Sequence, residues 1–247
     1  MARQPMKVSI ITVCFNAEKT IARTIESVAA QSYPDIEYII IDGGSSDATL
    51  SIIDRYRHVV SRLVSEPDRG IYDAMNKGIR AATGEVIGII NADDYYRPDA
   101  VRIAVDYLER GFDYVFGSVQ VGDKVICRLD PHKAWYTNQI ATKHTVGFFV
   151  RKHCHDILGL YDTRYRIAAD LDFFYKLLKS PFKGTKTLPE EIFGEFTRDG
   201  ISSQEWFQNI WEDTLIRYRQ NQSRIFLLLL LNARILFNFR QFLRRSS

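Results

Sequence analysis

Cysteine and long apolar runs are both scarce in this chain of 247 residues. Three cysteines are present, an odd number that argues against a disulfide framework and favours a reducing cytosol. The longest apolar run, 225–231, is far shorter than the ~18 residues that a membrane-spanning helix needs. Residues 1–4 lead straight into a strand-like run, so no signal peptide is expected. The sequence therefore predicts a globular chain without a membrane-spanning segment.

Glycine is missing where two large classes of nucleotide-binding proteins need it. The loop after the first strand-like run reads Val13-Cys14-Phe15-Asn16-Ala17 and lacks the Gly-x-Gly-x-x-Gly pattern of dinucleotide-binding folds. The sequence also contains no Gly-x-x-x-x-Gly-Lys-Ser/Thr phosphate loop. These absences argue against a nicotinamide-dependent dehydrogenase and against a phosphate-loop nucleotide hydrolase.

Acidic residues are missing from the C-terminal segment 217–247, which contains seven arginines. Since the whole chain has a formal net charge of +3, residues 1–216 are left with a net charge of −4. A basic tail on a mildly acidic body predicts an anionic partner. A membrane surface and a nucleic acid are the two candidates.

Short β-branched runs alternate with helical patterns over the first 118 residues. This alternation predicts an α/β fold with a mostly parallel sheet flanked by helices. The looser pattern of 119–129 is compatible with antiparallel strands, and the chain ends in a helical extension. Predicted strands lie at 8–13, 37–41, 59–64 and 86–90, and predicted helices at 16–31, 47–56, 70–82, 98–110, 171–179, 203–220 and 225–243.

Acidic residues follow three of the four predicted strands, at Asp42, at Glu66 and at the pair Asp93 and Asp94. Ligands of open parallel sheets bind beyond the carboxyl ends of the strands, so these residues are candidate ligand contacts. Two adjacent carboxylates suit a hard cation such as Mg²⁺ or Mn²⁺, which typically bridges to substrate phosphates. The alternative is a solvated pair that caps the following helix.

Four motifs, in this order and at this spacing, resemble family 2 glycosyltransferases of the GT-A (Rossmann-like) fold. They lie at 9–16, 42–47, 65–79 and 91–94, and the third is similar to the branch found in colanic-acid and exopolysaccharide biosynthesis. The resemblance implies a metal-dependent, inverting hexosyltransferase that moves a sugar from a nucleotide-diphosphate sugar to a saccharide acceptor in bacterial surface polysaccharide biosynthesis. It also implies a catalytic domain at 1–203, made of a nucleotide-sugar-binding half, 1–118, and an acceptor half, 119–203. The remaining segment, 204–247, is the helical extension.

The resemblance also assigns roles to residues at matching positions. Thr12 is expected beside the nucleotide, Asp42 at its base, and Asp93 near the ribose and diphosphate. Asp94 matches the metal-ligating aspartate of the family's Asp-x-Asp motif and would hold Mg²⁺ or Mn²⁺, although this chain keeps only the Asp-Asp end of that motif. The other candidates for binding the nucleotide sugar are Asn16, Asp68, Tyr72, Lys77, His144 and Ser202. Three of these residues have open alternatives: Tyr72 could serve packing, Lys77 could be a solvated helix residue, and His144 could be structural.

Asp170 is the candidate catalytic base. Inverting sugar transfer needs a carboxylate, outside the metal site, to take the proton of the acceptor hydroxyl. The sequence Ala169-Asp170-Leu171 is similar to the Glu-Asp motif of the family, with Ala169 in place of the glutamate. The alternative is that Asp170 only caps the helix predicted at 171–179.

The helix predicted at 225–243 is amphipathic. Its arginines lie opposite or beside an apolar face formed by Ile225, Leu228, Leu229, Ile235, Leu236, Phe239, Phe242 and Leu243. This pattern predicts a helix that lies in the headgroup region of an anionic membrane, which suits a lipid-linked acceptor. The expected location is therefore the cytoplasm, with peripheral attachment to the inner face of the cell membrane and no nucleic-acid partner. The alternative is that the apolar face packs on the catalytic domain or on a second subunit.

Two other functions compete with sugar transfer. A nucleotidyltransferase would share a doubly wound fold and a metal-binding carboxylate, but it usually has a glycine-rich loop with a basic residue after the first strand. A non-catalytic membrane or nucleic-acid adaptor would use the basic tail alone, and it would leave the acidic residues at the strand ends unexplained.

Overall fold

The computed structural model describes residues 5–133, 141–142, 145–196 and 205–245. Strands and helices alternate through the first half of these residues, as the sequence predicts. The strands are β1 (Val8–Cys14), β2 (Ile36–Asp42), β3 (Arg62–Ser65), β4 (Val86–Asn91), β5 (Tyr95–Tyr96), β6 (Tyr114–Phe116), β7 (Ser118–Val121), β8 (Lys124–Ile126), β9 (Phe148–Arg151), β10 (Gly184–Lys186) and β11 (Ile192–Glu195). The helices are α1 (Ile21–Ala29), α2 (Thr49–Arg55), α3 (Ile71–Ala81), α4 (Ala100–Glu109), α5 (Lys152–Leu158), α6 (Ala169–Lys179), α7 (Trp206–Arg219) and α8 (Arg224–Arg245).

The central sheet has seven strands in the order β10-β6-β9-β4-β1-β2-β3. Its pairs are parallel except those of β9, which runs antiparallel to both β4 and β6. The prediction of an α/β fold with a mostly parallel sheet flanked by helices is confirmed. A second sheet, β5-β11-β7-β8, contains the antiparallel pair β7 and β8 within the segment where antiparallel strands were expected.

Both faces of the central sheet are buried, because successive side chains of a strand point to opposite faces. Ile11 and Ile39 pack on the face covered by α3 and α6, whereas Ile10 and Ile40 pack on the face covered by α1 and α4. Helix α3 lies so close to β1 that a side chain at Gly78 would collide with Ile11. This contact fixes α3, whose first residues border the site described below.

Two predicted boundaries are wrong. Helix α1 begins at Ile21 and not near Asn16, because Asn16 adopts a left-handed conformation with φ of 49° and belongs to the preceding loop. Strand β3 begins at Arg62 and not at Val59, because the Val59 and Val60 amides donate to the Tyr56 carbonyl in a turn. The division of the catalytic domain into two halves stays a prediction. Within the described ranges, no helix has both the length and the apolarity needed to cross a membrane.

Candidate active site

A cavity of about 810 Å³ opens at the carboxyl ends of β1 and β4 and extends to the first turns of α3 and α6. It lies where ligands of open parallel sheets are expected. Five predicted site residues line it, namely Asn16, Asp68, Tyr72, Asp93 and Asp170. The structure therefore brings together residues that are more than 150 positions apart in the sequence.

Asn16 connects the loops that follow β1 and β2. Its Oδ1 accepts a hydrogen bond from the Ser46 amide at 2.9 Å, and its own amide donates to Ser45 Oγ at 2.8 Å. The left-handed backbone of Asn16 costs less for asparagine than for most residues, since its short polar side chain bonds locally. Asn16 thus fixes the cavity wall at the end of β1.

Asp42 is buried and does not line the cavity, and its expected position at a base stays a prediction. Its carboxylate accepts hydrogen bonds from the Ser45 amide at 3.0 Å, from the Gly44 amide at 3.2 Å and from Ser65 Oγ at 2.7 Å. These donors hold the loop after β2 against the end of β3. In this structure, Asp42 therefore stabilises the loop after β2 without contacting the cavity itself.

Thr12 is also buried and lies outside the cavity. Its hydroxyl pairs with the Tyr38 hydroxyl at 2.9 Å, on the sheet face covered by α1 and α4. Thr12 thus stabilises the interior of the sheet in this structure, and its expected place beside a nucleotide stays a prediction.

Asp68 belongs to the turn at 66–70. Its Oδ1 accepts a hydrogen bond from the Gly70 amide at 2.9 Å, and Gly43 leaves room for it, because a side chain there would meet the Asp68 carboxylate. Lys77 does not line the cavity. Its ammonium donates to the Pro67 carbonyl at 2.9 Å and pairs with Glu66 at 2.9 Å. Lys77 therefore fastens this turn to α3, and its expected phosphate contact stays a prediction.

Tyr72 and Asp170 meet inside the cavity. The Tyr72 hydroxyl lies 2.9 Å from Asp170 Oδ1 and 2.6 Å from the Ile167 carbonyl oxygen, so its one proton can be donated to either. Burial, and then the negative charge of Asp170, raise the pKa of Tyr72 well above its ordinary value. Tyr72 stays protonated at neutral pH and acts as a donor to the Asp170 carboxylate.

Asp170 lies within the first turn of α6, which begins at Ala169. The residue that precedes this helix is Ala168, so Asp170 is not its N-cap, although its Oδ1 also accepts from the Leu171 amide at 2.8 Å. The carboxylate lines the cavity. It is therefore placed to take a proton from a bound hydroxyl compound.

Of the two adjacent aspartates, Asp93 lines the cavity and Asp94 does not. Asp94 is 1% exposed, and its amide donates to the Asn91 carbonyl at 3.1 Å. The Thr24 hydroxyl on α1 lies 2.9 Å from the Ala92 carbonyl oxygen and 2.7 Å from that of Asp94, so its one proton is donated to either and fixes the turn. The Asp94 carboxyl group is therefore enclosed in this structure, whereas Asp93 is half-buried at the cavity wall, and the metal role expected for Asp94 stays a prediction.

Oxygen donors at the end of β4 fit a divalent cation. Asn91 and Asp93 both line the cavity, and Asn91 Oδ1 is buried without a hydrogen-bond partner among the described residues. In that part of the chain, no three His, Cys, Asp or Glu side chains come together as a metal cluster. One carboxylate with one amide oxygen suits an ion such as Mg²⁺, which keeps several waters and shares its coordination with substrate phosphates.

His144 and Ser202 lie outside the described residues. The polar cavity residues that the sequence did not single out include Arg69, Thr145, Tyr165 and Arg166. Arg69 lies inside the third motif, and Tyr165 and Arg166 shortly precede Asp170, so closeness to these motifs is the signal that could have found them.

Comparison with known proteins gives a consistent result. The model of a family described as glycosyl transferase family 2 matches residues 9–165. An uncharacterised glycosyltransferase of Mycobacterium tuberculosis is 31% identical over 220 residues, which cover 78% of this chain and 82% of that protein.

Two solved structures have the same fold. A mannosyltransferase from Pyrobaculum calidifontis, in complex with GDP-Man and Mn²⁺, matches with a TM-score of 0.68 at 21% identity. The match covers 92% of this chain and 68% of the mannosyltransferase chain. S. aureus TarS 1–349, in complex with UDP-GlcNAc, matches with a TM-score of 0.68 at 16% identity, over 93% of this chain and 72% of its own. At these identities the likeness is one of fold.

Proposed function

The chain belongs to glycosyltransferase family 2, and from this membership we propose that it is an inverting, metal-dependent hexosyltransferase. Its donor is a nucleotide-diphosphate sugar and its acceptor a lipid-linked saccharide of a bacterial surface polysaccharide, such as an exopolysaccharide of the colanic-acid type. The observation that carries the proposal is that Asp93 and Asp170, from two different elements, line one cavity. The family match favours this reaction over nucleotidyl transfer and over a non-catalytic adaptor.

The proposed base is Asp170. Its carboxylate accepts the proton of the acceptor hydroxyl while that oxygen forms a bond to the anomeric carbon of the donor sugar. The bond between the anomeric carbon and the diphosphate breaks, and its electron pair leaves with the diphosphate. Attack from the side opposite the leaving group inverts the anomeric configuration. Tyr72, held in its protonated form, orients the carboxylate through the 2.9 Å hydrogen bond.

The diphosphate is proposed to lie at the end of β4. Asp93, with Asn91 beside it, would hold a divalent cation there, Mg²⁺ or Mn²⁺. When bound, such a cation neutralises the negative charge of the departing diphosphate. Asn16 and Asp68 would then form the walls around the nucleotide. The two fold neighbours in complex with UDP-GlcNAc and with GDP-Man and Mn²⁺ support a donor of this class.

A thermal-shift screen tests the donor. We expect one nucleoside diphosphate, with Mn²⁺ or Mg²⁺ present, to raise the melting temperature by several degrees. Ligand at ~100 times its Kd stabilises the folded state by about 2.7 kcal/mol. For a domain of this size, each kcal/mol corresponds to roughly 2–4 °C. The same diphosphate without metal is the control. A protein that no diphosphate stabilises under either condition would contradict the proposal.

The described part of the tail supports attachment to a membrane. Helix α8 packs on α7, yet four residues of its predicted apolar face remain between 60% and 74% exposed, namely Ile225, Leu228, Leu229 and Leu236. These four side chains are therefore not covered by the catalytic domain. Helix α7 adds an exposed aromatic stripe of Phe207, Trp211 and Tyr218.

We place both helices against the inner face of the cell membrane, with the protein otherwise in the cytoplasm. Exposed aromatic and aliphatic side chains suit the headgroup boundary, and the arginines of the acid-free tail suit anionic lipid. Tyr165 and Arg166, which line the cavity, contact Arg219 and Glu205 at the two ends of α7. Attachment through α7 would therefore bring the cavity close to a lipid-linked acceptor.

Substitution of both Leu228 and Leu229 by glutamate should weaken binding to anionic lipid vesicles by at least about tenfold, since two apolar side chains leave the interface and two negative charges enter it. The measurement is co-sedimentation with vesicles that contain phosphatidylglycerol. Removal of 223–247 should release the protein as well.

Leu188→Glu is the matched control, because Leu188 is 55% exposed but lies away from α7 and α8, in the segment between β10 and β11. It should bind vesicles as the unmodified protein does. Unchanged vesicle binding after the double substitution, or after removal of the tail, would rule out this surface.

A further inference from the structure

Glu212 on α7 lies outside the cavity but holds the backbone segment that leads to Asp170. It is buried, and its two carboxylate oxygens accept hydrogen bonds from three consecutive backbone amides. Oε1 accepts from Arg166 at 2.8 Å, and Oε2 accepts from Ile167 at 2.8 Å and from Ala168 at 3.0 Å. The loop at 166–168 therefore wraps its amides around a single carboxylate.

These three amides lie just before the first turn of α6, where backbone N–H groups have no partner within the helix. The preceding residue, Ala168, has no side chain that could cap the helix, and no side-chain capping bond is formed there. Glu212 adds a carboxylate from another helix to the two, Asp170 and Asp172, that already lie in the first turn of α6. A carboxylate at this position interacts favourably with the N-terminal end of the helix dipole.

The same loop is held from the opposite side by the catalytic residues. The Ile167 amide binds Glu212, while the Ile167 carbonyl oxygen lies 2.6 Å from the Tyr72 hydroxyl. That hydroxyl is also 2.9 Å from Asp170 Oδ1. A shift of the loop away from Glu212 would therefore move both hydrogen-bond partners of Tyr72.

We propose that Glu212 is a positioning residue for sugar transfer: by holding the amides of 166–168, it sets the direction of the Asp170 carboxylate toward the acceptor hydroxyl. The inference rests on the proposed function, in which Asp170 is the base. Since Glu212 does not touch the cavity, its loss should affect the chemical step and leave donor binding largely intact.

Glu212→Gln tests this role. The glutamine keeps one oxygen as an acceptor. Its NH₂ group is a donor and cannot accept the hydrogen bonds of the backbone N–H groups that it would then face. We expect kcat to fall by about tenfold to a hundredfold, since small misplacements of reacting groups cost that much, with the donor KM within about twofold. The assay is Mn²⁺-dependent hydrolysis of UDP-GlcNAc or of GDP-mannose, whichever the unmodified protein cleaves. Glu212→Asp, a milder change that keeps the charge, should show a smaller loss of the same kind.

Asp213→Asn is the matched control. Asp213 is the next residue of α7, is fully buried, and pairs with Arg217 at 3.2 Å and with Arg234 of α8, away from the loop. Its substitution should lower the melting temperature without a selective loss of kcat. A fall in kcat after Asp213→Asn as large as that after Glu212→Gln would reduce Glu212 to a structural role and overturn the proposal.

Amide hydrogen exchange gives a readout that needs no substrate. In Glu212→Gln the amides of 166–168 should exchange faster, while those in the middle of α7 keep their protection. Unchanged exchange at 166–168 would overturn the positioning role. Retained turnover in Asp170→Asn would instead overturn the proposed base, so the two failures can be told apart.

Discussion

Asp170→Asn is expected to abolish sugar transfer, with a loss in kcat of about 10³-fold or more, within the range that a catalytic base contributes. The amide keeps nearly the same shape and still accepts the Tyr72 hydrogen bond, but it cannot take the proton of an acceptor hydroxyl. Binding of a nucleoside diphosphate with metal should stay within about twofold, because Asp93 and Asn16 are unchanged. Donor turnover and calorimetric binding, measured on the same preparation, check both parts.

Asp172→Asn is the control on the same helix. Asp172 is buried, pairs with Lys176 at 2.8 Å and does not line the cavity. Its substitution should reduce thermal stability and leave kcat nearly unchanged once the folded fraction is accounted for. Substantial turnover in Asp170→Asn would remove Asp170 from the role of base.

Asp93→Asn should have the second-largest effect, through the metal. Loss of the carboxylate at the end of β4 should weaken metal-dependent binding of the diphosphate by about 10²-fold. A bound cation contributes several kcal/mol to stabilising the negative charge of the diphosphate. Turnover should fall with it, and high Mn²⁺ should restore part of the activity. Titration of the diphosphate at several Mn²⁺ concentrations measures both effects.

Two comparisons make this test decisive. Asp106→Asn, on the exposed surface of α4, removes one carboxylate far from the cavity and should change neither binding nor turnover. Asp94→Asn tests the assignment suggested by the sequence motif alone. If Asp94→Asn abolishes metal-dependent binding while the folded protein with Asp93→Asn keeps it, the cation belongs at Asp94, and the turn at 91–94 must rearrange when the donor binds.

Much of the fold could be predicted from the sequence, because β1, β2 and β4 are continuous apolar runs that end in polar residues. Strand β9 could not, since nothing in its short apolar sequence shows that it enters between β4 and β6 and runs antiparallel to both. The start of α1 was misplaced for a local reason. Asn16 is a good helix cap by residue type, yet its bonds to Ser45 and Ser46 in another loop determine its conformation.

The sequence indicates which residues lie at the strand ends, but it does not show whether their side chains point into the cavity or into the interior. The sequence motif favoured Asp94 as the metal ligand, but it could not show that the Thr24 hydroxyl of α1, 70 residues from Asp94, helps to hold a turn in which Asp93 faces the cavity. Thr12 and Asp42 lie at the right strand ends but point into the interior. Glu212 had no signal in the sequence at all, because its role exists only where α7 meets the loop before α6.

The edges of the central sheet bear on how the protein behaves at high concentration. Strands β3 and β10 close the sheet with only four and three residues, and each carries a basic side chain, Arg62 and Lys186. Short, charged edges offer little template for pairing between molecules, and so they protect against aggregation. Within the described residues, the exposed leucines of α8 form an apolar surface that favours self-association. Detergent or lipid that covers this helix should keep concentrated protein monodisperse.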